Sequence, residues 1–169
     1  MKLYVRGIFI SASGKDVDFA DHTGMTNNFL HSLFSQCNVT LNGANITQAS
    51  ELYHYRSYLE TVMTYGTDAA ATHLSNAYRY LDTGDMQPVE PSAENLTATA
   101  NLEFILLWNS ISASRGVQNF GRLHSDICNV PLYLLRGVRL QIRLMKVRPN
   151  FYLMKKSFDL KTVFKFLDA

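Results

Sequence analysis

Alternating hydrophobic and polar positions predict β-strands at both ends of the chain. Residues 3–10 are rich in β-branched and aromatic side chains and end at a turn signal, so they predict the first strand. Residues 137–144 alternate most regularly, with aliphatic side chains on one side and Arg139 and Arg143 on the other. Residues 158–166 alternate less regularly and predict a last strand.

Helical periodicity dominates between these strands. Residues 27–35 place Phe29 and Leu33 on one face of a short helix. Residues 51–65 predict a second helix that ends before Gly66, and residues 68–81 predict a third. The apolar stripe of the second helix consists of Tyr55, Tyr58, Leu59, Val62 and Met63. This stripe is expected to pack in the core or against another protein.

Turn signals divide the remaining sequence. The pair Asn42-Gly43 lies between two short β-rich runs and predicts a hairpin, because both residues accept the positive φ of a type I′ turn. Residues 85–100 contain two prolines and small polar residues, which predict a surface loop. Residues 102–108 are consistent with a buried strand or a buried helix, and periodicity leaves both open. Together the elements predict one domain over residues 1–169, mainly β, as a β-sandwich with a helical insertion at about residues 50–82.

Composition narrows the class of protein. The 169 residues are 47% hydrophobic and 18% charged, which excludes a disordered chain or a coiled coil. The longest apolar run covers only residues 104–108, far short of the ~20 residues that a membrane helix needs. The start of the chain has no apolar stretch typical of a signal peptide. We therefore expect an intracellular protein without a membrane partner.

The net charge of +2 hides a strong asymmetry. Residues 16–103 carry eleven acids and two bases, whereas residues 133–169 carry nine bases and two acids. This pattern predicts either a nucleic-acid-binding face or subunits that meet through opposite charges. A nucleic-acid face would use Arg139, Arg143, Lys146, Arg148, Lys155 and Lys156. A subunit contact would pair the basic strand with Asp82, Asp85, Glu90 and Glu94.

Residue spacing does not predict an enzyme, a cofactor site or a metal site. None of the five histidines forms an i, i+4 pair with another, and Cys37 and Cys128 resemble no zinc motif. The consecutive residues His124-Ser125-Asp126 cannot adopt the geometry of a catalytic triad, so they predict a polar loop. The nine tyrosines and six methionines instead favour protein–protein contact. The interface candidates are Phe29, Leu33, Tyr55, Tyr58, Tyr65, Arg136, Arg139 and Arg143.

Three stretches of the sequence carry a resemblance when they are taken together. The first covers residues 27–36 and 38–43. The second covers residues 53–61 with Tyr65-Gly66 after it. The third stretch combines residues 121–126, 133–144 and 151–154. The three follow one another in register over about residues 26–154, most of the chain, and together they resemble the major capsid proteins of polinton (Maverick) elements and the related adintoviruses.

This resemblance implies a jelly-roll fold and a structural role. The family's proteins consist of two eight-stranded jelly rolls that trimerise into capsomers of a virion. This chain corresponds to the first jelly-roll half, and its sandwich is expected to be either complete or short of strands before Leu3. Arg136 and Arg139 replace the family's usual Asn and Asp in the turn before the regular strand. The implied partners are further copies of the chain and other capsid subunits.

Overall fold

The computed structural model describes residues 1–11, 13–17, 23–47, 51–81, 102–131, 133–154 and 162–168. The described strands are β1 (Lys2–Ser11), β2 (Gly24–Met25), β3 (Phe34–Leu41), β4 (Ala44–Asn45), β5 (Val117–Arg122), β6 (Leu140–Lys146), β7 (Leu153–Met154) and β8 (Thr162–Asp168). The α-helices are α1 (Phe29–Ser32), α2 (Tyr53–Thr64), α3 (Thr67–Ala71), α4 (Leu102–Ile111), α5 (Asp126–Asn129) and α6 (Pro149–Tyr152). Short 3-10 helices follow at His73–Ala77 and Ser112–Ser114.

The described strands form three antiparallel sheets. In the first sheet β1 lies between β5 and β8, so the two ends of the chain share one sheet. In another sheet β3 lies between β4 and β6, while β2 and β7 form a two-stranded pair. The fold is therefore β-rich, with helices between the strands, as the hydrophobic pattern predicted at this coarse level.

Aromatic packing around α1 builds the core. The ring of Phe29 lies 5.4 Å from that of Phe9 on β1, 5.3 Å from Phe164 on β8 and 6.1 Å from Tyr152 on α6. Phe34 at the start of β3 stacks on Phe166 of β8 at 6.3 Å, which joins the two larger sheets. Every side chain of α1 is buried.

The helix predicted over residues 27–35 is much shorter in the structure. It ends at Ser32 because β3 begins at Phe34 and pairs with β6. The backbone N–H of Val147 donates to the carbonyl of Leu33 at 2.9 Å, which extends this pairing to the end of the helix. Pairing with a distant strand thus overrides the local helical pattern.

The predicted hairpin is confirmed. Asn42 and Gly43 have φ values of 49° and 86°, as a type I′ turn requires, and they connect β3 to β4. The side-chain oxygen of Asn42 also accepts a hydrogen bond from the backbone N–H of Arg139 at 2.8 Å. This contact ties the hairpin turn to the residue before β6.

The insertion between β4 and β5 is helical where it is described. Residues 102–108 belong to a helix, α4. The third predicted helix divides into α3 and a 3-10 helix at Thr72, whose hydroxyl donates to the carbonyl of Asp68 at 2.9 Å and competes with the helical backbone pattern. The predicted loop at 85–100 and the start of the predicted last strand, residues 158–161, lie outside the described residues. No helix in the described ranges is long and apolar enough to cross a bilayer.

Candidate subunit interface

Helix α2 turns its polar side inward and its apolar side outward. Ser57 and Thr61 are buried, and each hydroxyl donates to a carbonyl one turn earlier, at 2.8 and 2.7 Å. These internal hydrogen bonds allow hydroxyl groups to face the core without unpaired polar atoms. The opposite side, here named the α2 apolar face, consists of Tyr55, Tyr58, Leu59, Val62 and Met63, which are 54, 47, 58, 47 and 85% exposed. The predicted stripe is therefore a surface.

Under α2, the hydroxyl of Tyr53 links two buried histidines. It lies 3.1 Å from Nδ1 of His31 and accepts a hydrogen bond from the backbone N–H of His124 at 3.4 Å. The two imidazole rings meet edge to face, with centroids 4.5 Å apart. Burial, with a smaller contribution from His124, lowers the pKa of His31 to about 3, and burial raises the pKa of Tyr53. His31 is consequently neutral, and its Nδ1 can accept a hydrogen bond from the Tyr53 hydroxyl.

Charged side chains of α2 and α5 lie next to the buried histidine pair. Nδ1 of His124 is 3.0 Å from a carboxylate oxygen of Glu60, an ion-pair distance without hydrogen-bond geometry. Arg56 lies 4.0 Å from the same carboxylate and donates to Asp126, and this hydrogen bond is the main cause of the raised pKa of Arg56. The Arg56–Asp126 pair connects α2 to the start of α5.

Two cavities of about 610 and 540 Å³ flank that ion pair. Both are lined by Leu52, Arg56 and Asp126, so we treat them as one groove between α2 and residues 124–127. Its remaining wall residues are Cys37, Ile46, Thr47, Tyr53, Tyr55, Leu59, Glu60, His124, Ser125 and Ile127. The groove combines apolar side chains, among them Ile46 and Leu52, with polar ones and a central ion pair, which suits binding of a partly apolar ligand.

The groove residues are not arranged as a nucleophile with its base. Burial raises the pKa of the Cys37 thiol to about 11, so this group is protonated at neutral pH. Asp126 pairs with Arg56 and His124 faces Glu60, so the consecutive residues 124–126 do not contact one another as a triad would. Within the described residues, no three His, Cys, Asp or Glu side chains are grouped as a metal site requires.

The structure places the predicted aromatic and aliphatic interface residues in three different environments. Phe29 and Leu33 are completely buried, which corrects their prediction as contact residues, because α1 is too short and too central to have a solvent side. Tyr55 and Tyr58 belong to the α2 apolar face. Tyr65 is half-buried, with its ring 5.3 Å from that of His73.

The predicted basic residues also differ from one another. Arg136, Arg139 and Arg143 are exposed, whereas Lys146 donates from Nζ to the carbonyl of Phe164 at 2.6 Å and lies over aromatic rings. Burial lowers the pKa of Lys146. Lys155 and Lys156 lie outside the described residues, as do the four predicted acidic partners at positions 82, 85, 90 and 94.

Sequence reasoning missed a second exposed apolar feature, residues 133–135, here named the apolar loop. The side chain of Tyr133 is fully exposed, and Leu134 and Leu135 are 51 and 80% exposed. A turn closes the loop, because the N–H of Val138 donates to the carbonyl of Leu135 at 3.2 Å and Gly137 has a φ of 89°. The sequence does contain a signal for this loop. An apolar run that does not alternate with polar residues lies between a proline and an Arg-Gly turn.

Comparisons of the chain with protein-family models, curated proteins and solved structures found no match. Function is therefore inferred from the surfaces of the molecule. The most distinctive of these are the α2 apolar face, the groove beside it, and the apolar loop.

Proposed function

We propose that this protein is a structural subunit that acts by self-association, as a capsid protein of the jelly-roll type does. The α2 apolar face carries this proposal. Five large apolar side chains on successive turns of one helix are about half exposed or more. Contiguous apolar surface of this kind on a soluble monomer marks an interaction site.

The sequence resemblance supports the same conclusion. Its second stretch, residues 53–61, lies in α2. Its third stretch includes residues 121–126 and 133–144, which contain part of the groove wall, the apolar loop and most of β6. A jelly-roll sandwich, a trimeric capsomer and a place in a virion complete the proposal, and the antiparallel sheets of the chain are compatible with the first of these.

Sedimentation velocity across a concentration series tests this function. The wild type is expected to shift from monomer to a defined oligomer as concentration rises. The variant Val62→Glu/Met63→Glu places two charges on the α2 apolar face and should raise the dissociation constant at least about tenfold, since anchor residues typically contribute more than 1.4 kcal/mol. A wild type that stays monomeric at every concentration contradicts the proposal.

Tyr4→Glu is the matched control for that variant. Tyr4 is an exposed aromatic residue on β1, in the sheet formed with β5 and β8. It should leave the oligomer unchanged, because its position is outside the α2 apolar face. An equal loss of association in the control would indicate a general effect of added charge.

A nucleic-acid-binding function is the second candidate. Residues 133–154 contain five basic side chains and no acidic one, and Arg136, Arg139, Arg143 and Arg148 are exposed. Binding of a DNA or RNA oligonucleotide would weaken log-linearly with salt as counterions are released. Apolar self-association with a few charge pairs at its rim depends less steeply on salt, so the slopes of a salt series on both reactions separate the two functions.

A further inference from the structure

We propose that the apolar loop of one copy docks into the groove of a neighbouring copy. This inference rests on the proposed self-association and names the two surfaces that meet. The loop protrudes with Tyr133 and Leu135 almost entirely in water, whereas the groove is concave and lined by both apolar and polar side chains. The chain therefore exposes a convex apolar feature and a concave mixed one that can cover each other.

The groove offers contacts both for the ring and for the hydroxyl group of a tyrosine side chain. Ile46, Leu52 and Leu59 are exposed apolar residues of its walls, and they would cover a ring or an aliphatic side chain. Carboxylates at its centre, including Asp126 with an 86% exposed side chain, can accept a hydrogen bond from a phenol. Aromatic anchors in pockets of this kind contribute most of the binding energy at many interfaces.

The chain is tied to the rest of the fold directly after the apolar loop. The Asn42 side chain accepts a hydrogen bond from the backbone N–H of Arg139, next to the turn at Gly137. Further upstream, Arg122 donates to the side chain of Asn129 at 2.6 Å, four residues before Tyr133. A loop whose closing turn is already ordered loses less conformational entropy when it binds.

Charge complementarity selects a second copy of this chain as the occupant. Arg136 and Arg139 follow the apolar loop, and residues 130–139 contain no acid. The groove carries the carboxylates of Glu60 and Asp126 and the guanidinium of Arg56, so its carboxylates outnumber its permanently charged basic group. Docking would bring the two arginines to the acidic side of the groove, which favours encounter and correct register.

Each copy presents both features. The apolar loop does not fill its own groove, because its side chains are exposed. Ile127 in the groove wall precedes Tyr133 by six residues, a separation of at most about 20 Å along the chain. A copy can therefore donate its loop to one groove and accept another loop in its own, as closed symmetric assemblies require.

A mixing experiment with two variants tests this contact. Leu52→Arg blocks the groove and leaves the loop intact, because Leu52 is exposed, lines both cavities and lies outside the α2 apolar face. Tyr133→Ser/Leu135→Ser removes the loop contacts and leaves the groove intact. Sedimentation velocity should show that each variant alone associates at least about tenfold more weakly than the wild type. An equimolar mixture should associate at least about tenfold more tightly than either variant alone, because intact loops then meet intact grooves.

Tyr4→Ser is the matched control for the tyrosine substitution and should associate like the wild type. Circular dichroism and thermal melting verify that each variant is folded. If Leu52→Arg melts early, Ile46→Arg blocks the same groove from the hairpin side.

The outcomes separate this inference from the proposed function. If the wild type self-associates and either variant alone does so equally well, the loop-to-groove contact is wrong while self-association stands. A mixture that associates no better than its components also overturns the contact. If the wild type remains monomeric, the proposed function and this inference both fail.

Discussion

The Tyr53 hydroxyl contacts both buried histidines and therefore stabilises the floor of the groove. Tyr53→Phe removes this hydroxyl and leaves His31 and the His124 backbone N–H without their shared partner. The free energy of unfolding should fall by about 1–3 kcal/mol, the usual cost of an unpaired buried polar group. Urea denaturation measures this change. Tyr65→Phe, at a half-buried tyrosine, should change stability by less than about 0.5 kcal/mol, and equal losses would contradict the role of Tyr53.

His31 makes stability depend on pH. Its folded-state pKa is lowered to about 3 by burial and by His124, whereas an unfolded histidine titrates near ~6.5. Between these values the unfolded chain binds more protons, so stability is full above ~6.5 and falls as the pH decreases toward 3. The free energy of unfolding should therefore be lower at pH 5 than at pH 7.5, and His31 should account for about 2 kcal/mol of this difference.

The variant His31→Gln isolates that contribution. Glutamine can hydrogen-bond Tyr53 but does not titrate, so the variant should lose less stability than the wild type between the same two pH values. The residual pH dependence belongs to other groups, including His54, whose pKa burial also lowers. Identical pH profiles for variant and wild type would show that His31 is not the responsible group.

At the scale of elements, β1 depends on a glycine at its closest approach to β8. A Cβ atom at Gly7 would lie 2.3 Å from Cζ of Phe164 and 2.5 Å from the carbonyl oxygen of Lys165. Gly7→Ala should therefore cost about 1–3 kcal/mol through overpacking, which lowers the melting temperature by several degrees. Gly116→Ala is the control, because no described heavy atom beyond the adjacent residues lies within 4 Å of the added methyl group. Equal melting temperatures for the two variants would contradict this close packing.

Elements with strong local signals could be predicted from the sequence. The Asn42-Gly43 turn follows from the backbone preferences of two residues, and β6 follows from strict alternation. The length of the first helix could not be predicted, because pairing of β3 with the distant β6 ends it at Ser32. A helical stripe shows which residues share a face of α2, but it does not show whether the core or a partner covers that face.

The candidate site was predictable only in part, for the same reason. Tyr55 and Tyr58 share a predicted stripe, so their common surface follows from helical spacing alone. The groove has no local signal, because Ile46, Leu59 and Asp126 come from three separate segments. Its charged centre likewise depends on α5 meeting α2.

At the scale of the whole molecule, the basic residues beside the apolar loop should control how fast copies meet. Arg136→Glu/Arg139→Glu reverses two exposed charges without removing buried contacts. Stopped-flow light scattering should show a slower association rate, with the largest difference at low salt and a smaller effect on dissociation. Arg6→Glu, an exposed charge on β1, is the control and should leave the rate unchanged. Equal rates for the double variant and the wild type would exclude this electrostatic role.

The inward polar side and outward apolar side of α2 have a genetic consequence. In a saturation mutagenesis library scored for protein abundance in cells, positions 53, 54, 57 and 61 should tolerate few substitutions, because they support the fold. The same library scored for assembly should lose variants at positions 55, 58, 59, 62 and 63 as well. Alleles of the second set would encode abundant proteins that fail to assemble, so a single helix would carry two classes of loss-of-function allele in alternating order.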